Sequence, residues 1–599
     1  MDGDGIGHAW IVAIDVSRRQ PAPWQPAASP LQSPDMSDLV IRDARIVDGT
    51  GAESFHGDVA VSGGRIEAVG RVTGKGEREV DAGGRVVSPG FIDLHTHYDC
   101  QLFWDRHATP SPWHGVTTVV MGNCGFTLAP CRPSDRHTIM RLLSFVEGMP
   151  LDTLQAAIPW RWESYPEYLD AIEQGGLGVN VASFIGHSAI RLHVMGASAL
   201  EREATSEERA QMAALVREGV AAGALGWSTS FAPTHFFADD DKPAPSRVAA
   251  REELLELAAA MQQFDRGVIE LAPKLIVGST EDKLAEIAGY AELARASGKT
   301  VVWAPLLHNT FAPDQADACL VEAERLQTSG VKVVPQVGCR PLELRFDFAK
   351  AGFGLDNNPF WRPIMQKSRD ERVRLFRDPA FREELRGVSR GFVAALAREW
   401  DQVVLRLPQS ERTAKLQDRS VASIATERGV SPVDAFCDVV LEGNLEDQWG
   451  ALVMNYDEDR IGPMLRHPAA VMALSDAGAH MDTLCDQGFT TYLLGHWVRE
   501  QRRLSLEEAV RMVTSKPADR YGLAGRGRLA PGAAADLVVF DPARVGTRQT
   551  ELVSDLPEGQ RRLLQKADGI DWVFVNGAAV VEDGTPSERL PGRLLRGGR

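Results

Sequence analysis

Between Phe91 and Leu474 the chain alternates short, wholly apolar runs with longer helical stretches, and few folds accept that rhythm. The runs are Phe91–Leu94, Val116–Met121, Val179–Ile185, Val268–Leu271, Val301–Ala304, Val331–Val334 and Val471–Leu474. A strand that is apolar on both faces must be buried on both, which is the situation of a parallel sheet covered by helices. About eight such repeats predict a (β/α)8 TIM-like barrel. Ala224–Trp227 competes for a strand slot, so the fourth strand stays open. The clearest intervening helix is Ser206–Ala222. Thr205 and Glu208 fit a capping box, Met212, Leu215, Val216 and Val220 share one face, and Gly223 stands where a helix stops.

The two ends have a different style. Leu39–Val47 alternates apolar and polar residues; Asp58–Val61 and Arg65–Val69 flank Gly63-Gly64, a hairpin signal. Glu79–Val87 forms a third strand unit around Gly83-Gly84. Ala535–Phe540 and Trp572–Val575 repeat the pattern far downstream, before the Asn576-Gly577 turn. These segments predict a small β-sandwich built from both chain ends, residues 36–88 and 521–599, around a barrel spanning 89–520. Residues 340–443 are polar and mostly helical, broken at Asn357, Asn358 and Pro359. They form an insertion after the sixth strand, far longer than the ordinary loop of about 2–6 residues. Phe353, Phe360, Trp361 and Met365 could make it a lid over an acyl chain; an oligomer contact or a decoration on the barrel flank are the alternatives. Residues 1–35 carry five prolines after Gln20 and place Arg18 and Arg19 behind the short apolar run Ile11–Ile14, so a disordered tail is expected, not a signal peptide.

Composition removes several function classes. The formal charge of −17 repels phosphate backbones and anionic lipid, which argues against nucleic-acid partners. No run approaches the ~18 apolar residues of a membrane span. The seven cysteines are odd in number and scattered, favouring a reducing, cytoplasmic setting over a disulfide framework. A small-molecule substrate remains, with a homo-oligomer left open.

The chemistry begins at the end of the first barrel strand. His95 and His97 are two residues apart, so both imidazoles can face one metal, at the end of a barrel strand where such enzymes keep their sites. Cys124 follows the second strand between Gly122 and Gly125; it is either a soft zinc ligand or a buried inert thiol. His308 follows Leu307 and is a ligand or a satisfied core residue. Asp476 follows the last run, where a carboxylate is costly unless it meets a metal or hydrogen-bond donors.

The segments SPGFIDLHTHYD, GVTTVVMGNCGFTLAP, ALSDAGAH and PGAAADLVVFD, read together, resemble the amidohydrolase superfamily and, within it, the N-acyl-D-amino-acid deacylase (D-aminoacylase) family. The resemblance runs from about Met36 to Arg599. It implies a metal-bearing barrel with a small β-sandwich, and one or two Zn2+ ions held by His95, His97, Cys124 and His308. It also implies Asp476 as catalytic base and metal ligand. Two departures stand out. The stretch Val333–Arg340 lacks the usual histidine, leaving Gln336 or Cys339 to fill the gap. Val268–Leu271 replaces a threonine-histidine-arginine type motif, leaving Glu270 as an oxygen ligand or a salt-bridge partner.

Amide hydrolysis further needs an oxyanion donor and a grip on the substrate. His187, at the end of the third strand, is the candidate donor, with a positioning role as the alternative. Arg340 and Arg191 are candidates for a substrate carboxylate, and Trp361 for the acyl group. Trp160, Arg161 and Trp162 either line an acyl pocket or pack the core. Three function classes follow: a linear amide hydrolase acting on N-acyl-D-amino acids, a hydantoinase-like cyclic amide or imide hydrolase, and a non-catalytic scaffold. The second usually carries a carboxylated lysine, and Lys274 lies three residues beyond its strand, which does not favour it.

Overall fold

The computed structural model describes residues 36–237, 241–274, 278–350, 353–356, 358–388 and 400–598. The tail 1–35 and Asn357 lie outside the described residues.

The amphipathic strands of the two ends meet in one nine-stranded sheet. Met36–Ile46 pairs antiparallel with Phe55–Ser62, which turns at Gly63-Gly64 into Arg65–Gly70. Both glycines take positive φ (59° and 72°), and a side chain on Gly64 would strike the carbonyl of Asn576. Val86–Pro89 pairs antiparallel with Leu537–Phe540, and that pairing joins the N-terminal strands to the C-terminal ones. The inward residues Leu39, Ile41, Val59, Ile66, Val87, Leu537, Val539 and Phe574 form its core. The expected unit Glu79–Val87 is broken at its glycines: Lys75–Asp81 and Val86–Pro89 each run parallel to Met36–Ile46. One C-terminal hairpin, Gly546–Val553 with Arg562–Asp568, leaves the sheet and reaches the edge of the site described below, where Gln565 accepts a hydrogen bond from Arg340 (2.7 Å).

The central strands are parallel. Phe91–Asp93, Val116–Met121 and Asn180–Ser183 form a three-stranded sheet. Ile185–Gly186, Gly226–Ser230, Val268–Ala272, Thr300–Leu306, Val333–Val337 and Val471–Met472 form a six-stranded one. Taking Asn180–Ser183 and Ile185–Gly186 as one strand interrupted at Phe184, the fourth strand is Gly226–Ser230 and Val333–Val337 the seventh, so the long excursion follows that strand instead of the sixth. The strand GWSTS shows no apolar run because Ser228 and Thr229 are buried with partners: Ser228 Oγ donates to the Gly122 carbonyl and Thr229 Oγ1 meets His187 Nδ1. The Ser206–Ala222 helix has its capping box, Thr205 accepting from the Glu208 N–H. No helix among the described residues is long and apolar enough to cross a membrane.

Helices make up most of the described part of the excursion, as expected, but not all of it. It carries a four-stranded antiparallel sheet in the order Leu342–Phe346, Gln448–Met454, Val403–Leu407, Arg419–Ser420. Short helices cover that sheet around a separate core of Phe348, Trp361, Phe376, Phe381, Phe436 and Trp449.

Candidate metal centre

The first parallel strand ends at Asp93, and the chain beyond it stays extended: Thr96 bridges to Ala477, and the His97 N–H donates to the Ala477 carbonyl (2.7 Å). This sets His95 and His97 beside the loop that carries Asp476. Nε2 of His95 lies 3.3 Å from Asp476 Oδ1, and Nε2 of His97 lies 3.4 Å from the same oxygen. Cys124 Sγ is 3.5 Å from His95 Nε2. The ligand atoms of His95, His97 and Cys124 all lie within 4.8 Å of one another, and all three residues are buried.

The backbone is held in uncommon conformations to achieve this. Cys124 has φ 56° between Gly122 at 77° and Gly125 at 78°, while Leu474, Asp476 and His480 have φ 78°, 49° and 46°. Left-handed conformations cost non-glycine residues free energy, and here four of them line one cavity. Part of the cost at Cys124 is offset by its N–H, which donates to Glu270 Oε2 (2.7 Å).

The electrostatics are those of a cation site. Burial pushes the Cys124 thiol well up, and the carboxylates of Glu270, Glu147 and Asp476 add to it. Burial pushes Glu270 up to about 8 and Glu147 up to about 7. Burial also works against the Asp476 carboxylate, yet the hydrogen bond from His97 and the charges of His95, His97 and His480 hold it below the usual range. Glu270 Oε1 is buried with no hydrogen-bond partner. A thiol, two imidazoles, the buried carboxylates of Glu147 and Glu270 and the partly exposed carboxylate of Asp476 make a donor set that suits a divalent, sulfur-tolerant metal such as zinc.

This centre forms the floor of a cavity of about 430 Å³. Its walls are mostly apolar, including Ala272, Pro305, Leu307, Leu342, Leu344 and Met454, with Asn358 and Pro359 contributed by the excursion. Arg340 reaches the cavity, but its guanidinium is engaged by Asp486 (2.9 Å) and Gln565 and stacks 5.1 Å from the Tyr492 ring.

Several candidates fall elsewhere. His308 is buried outside the ligand group, with neither ring nitrogen hydrogen-bonded among the described residues. The strand ends at Leu306, and His308 follows in the loop, where its backbone N–H donates to Asn455 Oδ1 (3.1 Å). His187 does not reach the cavity. The third strand passes directly into the helix His187–Met195, whose first turn carries His187 and Arg191 into the layer between strands and helices. There His187 Nε2 meets Glu253 Oε1 (2.6 Å), and Arg191 donates to Glu253 Oε2 and to the Arg202 carbonyl (2.9 Å); His187, Arg191 and Glu253 are fully buried. Trp361 is 1% exposed inside the core of the excursion, 5.1 Å from the Phe348 ring, so it is no lid surface. Trp162 packs between Phe103 and Tyr168 and donates to the Leu128 carbonyl. Lys274 is exposed. Gln336 takes neither of the expected ligand positions: its Oε1 lies 3.2 Å from His95 Nδ1, and Cys339 bonds the Phe489 carbonyl.

Three residues at the site were not among the candidates. Glu147 Oε1 sits 3.4 Å from His97 Nδ1. His480 Nε2 is 4.0 Å from Asp476 Oδ2, and its i+4 spacing within ALSDAGAH is the one hint the sequence held. His235 lines the cavity with Nδ1 against Ser230 Oγ (2.6 Å); it follows the strand that lacked an apolar run.

Known proteins resemble the chain over nearly its whole length. The D-aminoacylase of Alcaligenes xylosoxydans xylosoxydans is 30% identical over 93% of this chain and 97% of its own. A solved D-aminoacylase, whose binuclear metal centre is described as activated by one metal and attenuated by the second, matches with a TM-score of 0.63 at 27% identity. That match covers 93% of this chain and 99% of the other. The N-acyl-D-glutamate deacylase of Bordetella bronchiseptica, complexed with zinc and a phosphonate mimic of the tetrahedral intermediate, matches with a TM-score of 0.64 at 25% identity, over 94% of this chain and 100% of that one. The model of the amidohydrolase family matches residues 78–581. With that span and the strand-end cluster of histidines, cysteine and aspartate, the chain belongs to the amidohydrolase family.

Proposed function

We propose that the chain is a zinc-dependent hydrolase that cleaves the linear amide of an N-acyl-D-amino acid into a D-amino acid and a carboxylate. The observation that carries this reading is the convergence of His95, His97 and Cys124 on the Asp476 carboxylate at the floor of one apolar cavity. In this reading the parallel strands close into a (β/α)8 barrel, supported by the bridge between Thr96 and Ala477 that links the first strand to the last. Residues 89–520 are the catalytic domain, and 36–88 with 521–599 the β-sandwich.

His95, His97 and Cys124 would hold one ion together with Asp476, and Glu270 Oε1 would be available to a second. Bound there, the metal supplies Lewis acidity, which lowers the pKa of a water and polarises the amide carbonyl. Asp476 stays ionised and takes the water proton on its carboxylate, then returns it to the leaving nitrogen. His235 assumes the oxyanion role expected of His187. Ser230 Oγ accepts from the Ala232 N–H and lies 2.6 Å from His235 Nδ1; donating its own proton there, it would leave Nε2–H of His235 as a donor. Burial pulls His235 down to about 3, so it stays neutral. The apolar wall excludes water and takes the acyl group, while a substrate carboxylate competes with Asp486 for Arg340. The seven cysteines are buried and unpaired, which supports a reducing, cytoplasmic setting.

The test is hydrolysis of paired N-acetyl-D- and N-acetyl-L-amino acids by protein of measured zinc content. Turnover of D-substrates that tracks zinc content is expected; activity confined to cyclic imides, or independent of metal, would remove the proposal.

A further inference from the structure

The ring nitrogens of the two histidines are sorted by the protein. Both Nε2 atoms face inward to Asp476 Oδ1 and the Cys124 side. Both Nδ1 atoms face outward, and each meets an acceptor: Gln336 Oε1 at 3.2 Å from His95, and Glu147 Oε1 at 3.4 Å from His97. The two acceptors are themselves fixed. Gln336 is fully buried, and its amide nitrogen donates to the Tyr521 hydroxyl (2.7 Å), which keeps its oxygen toward His95. Glu147 is 2% exposed, and its backbone carbonyl accepts from the N–H of His480, in the same loop as Asp476. Glu147 therefore ties the histidine pair of the first strand to the aspartate loop of the last. Neither side chain lies on the Nε2 side of a ring, so neither is placed as a ligand.

We infer that Glu147 and Gln336 are the positioning residues of the metal centre. They hold Nδ1–H outward on each imidazole and so present both Nε2 lone pairs to one ion. The inference rests on the metal-dependent reading above and adds to it that the two imidazoles are unequal donors. The Glu270 carboxylate also faces His95 Nδ1, but at 3.9 Å, beyond hydrogen-bond distance, whereas Glu147 stands 3.4 Å from His97; a carboxylate hydrogen-bonded behind an imidazole raises its basicity more than an amide does, so His97 is the stronger ligand and Glu147 the more consequential support.

The experiment measures metal affinity by chelator competition on full-length protein loaded with zinc, and again with cobalt, whose absorption bands report the ligand geometry. Glu147→Ala and Gln336→Leu should each weaken zinc binding by about 10–100-fold, the usual cost of losing such a partner. Glu147→Gln, which keeps an acceptor but loses the charge, should fall between Glu147→Ala and the parent. Gln336→Glu, which keeps an acceptor, should bind at least as tightly as the parent. Metal-free variants are compared by circular dichroism; if Glu147→Ala fails to fold, Glu147→Gln and Gln336→Glu carry the test. A merely structural role would shift unfolding midpoints and leave zinc affinity and the cobalt spectrum unchanged. Zinc binding within threefold of the parent in both Glu147→Gln and Gln336→Leu would overturn the inference. A parent protein that binds no divalent metal would instead overturn the reading beneath it.

Discussion

Replacing Arg191 by methionine separates a buried structural ion from a substrate ligand. In the folded chain the Glu253 carboxylate receives Arg191 on one oxygen and His187 Nε2 on the other, and all three residues are shielded from solvent. Methionine restores much of the volume but leaves the carboxylate with one donor and no permanent cation. Breaking a buried pair in this way costs about 3–5 kcal/mol. The Arg202 carbonyl also loses its donor (2.9 Å), adding about 1 kcal/mol, so the total is about 4–6 kcal/mol. His187 provides a partial escape. Burial lowers its pKa first, and the Arg191 charge lowers it further against the pull of Glu253. Without Arg191, His187 takes up a proton to neutralise Glu253, so the folded variant binds a proton that the parent does not. A histidine whose folded pKa is raised adds stability below its unfolded pKa and loses it as pH rises. The penalty should therefore be smaller at pH 6 than at pH 8, by about 1–2 kcal/mol, since one proton over one pH unit is worth about 1.4 kcal/mol. Urea midpoints followed by tryptophan fluorescence at the two pH values measure this, with KM determined at pH 8. A penalty below about 1 kcal/mol at both pH values, accompanied by a tenfold rise in KM, would refute the burial argument and return Arg191 to the substrate.

Two further outcomes follow from the same geometry. Asp476→Asn keeps the shape beside His95 and His97 but cannot accept a proton, so kcat should fall by ~10²–10⁴ while elemental analysis finds most of the zinc retained; near-normal turnover would place the base elsewhere, with Glu270 next in line. Trp361→Ala empties a site in the separate core of the excursion and should cost about 3–5 kcal/mol there, seen as earlier proteolysis of residues 340–454 with KM unchanged; intact stability with altered acyl-chain preference would revive the lid.

The strand-end motifs were legible because a strand fixes which way its side chains point. His95 and His97 share one side as their spacing implied, and Cys124 and Asp476 join them as the family resemblance implied. Legibility stops where the backbone changes course. His187 looked like a strand-end ligand, but a helix begins at that very residue and turns it away from the cavity. His308 lies beyond the end of its strand at Leu306, where the alternation of a strand no longer fixes which way a side chain points. The strand Gly226–Ser230 hid behind its hydroxyls, whose burial is tolerable only because Gly122 and His187 supply partners from distant segments. The sheet of the excursion was unreadable for a related reason. Leu342–Phe346 pairs with Gln448–Met454 across about a hundred residues, and local pattern carries no record of so remote a partner. Glu147 ends a helix and enters the site through tertiary packing alone.

The pairing of Val86–Pro89 with Leu537–Phe540 has a consequence for the newborn chain. The early strands emerge from the ribosome about 450 residues before the strand that covers their edge. At 5–20 residues per second, that is a wait of roughly 20–90 s with an open hydrogen-bonding edge. The central parallel strands are assembled largely within that interval, while the nine-stranded sheet can be finished only after synthesis reaches its last strands. A ribosome stalled before residue 537 would hold a chain whose residues 36–89 are committed to a sheet they cannot complete, and such a chain would depend on a chaperone to keep that edge from pairing with a neighbour.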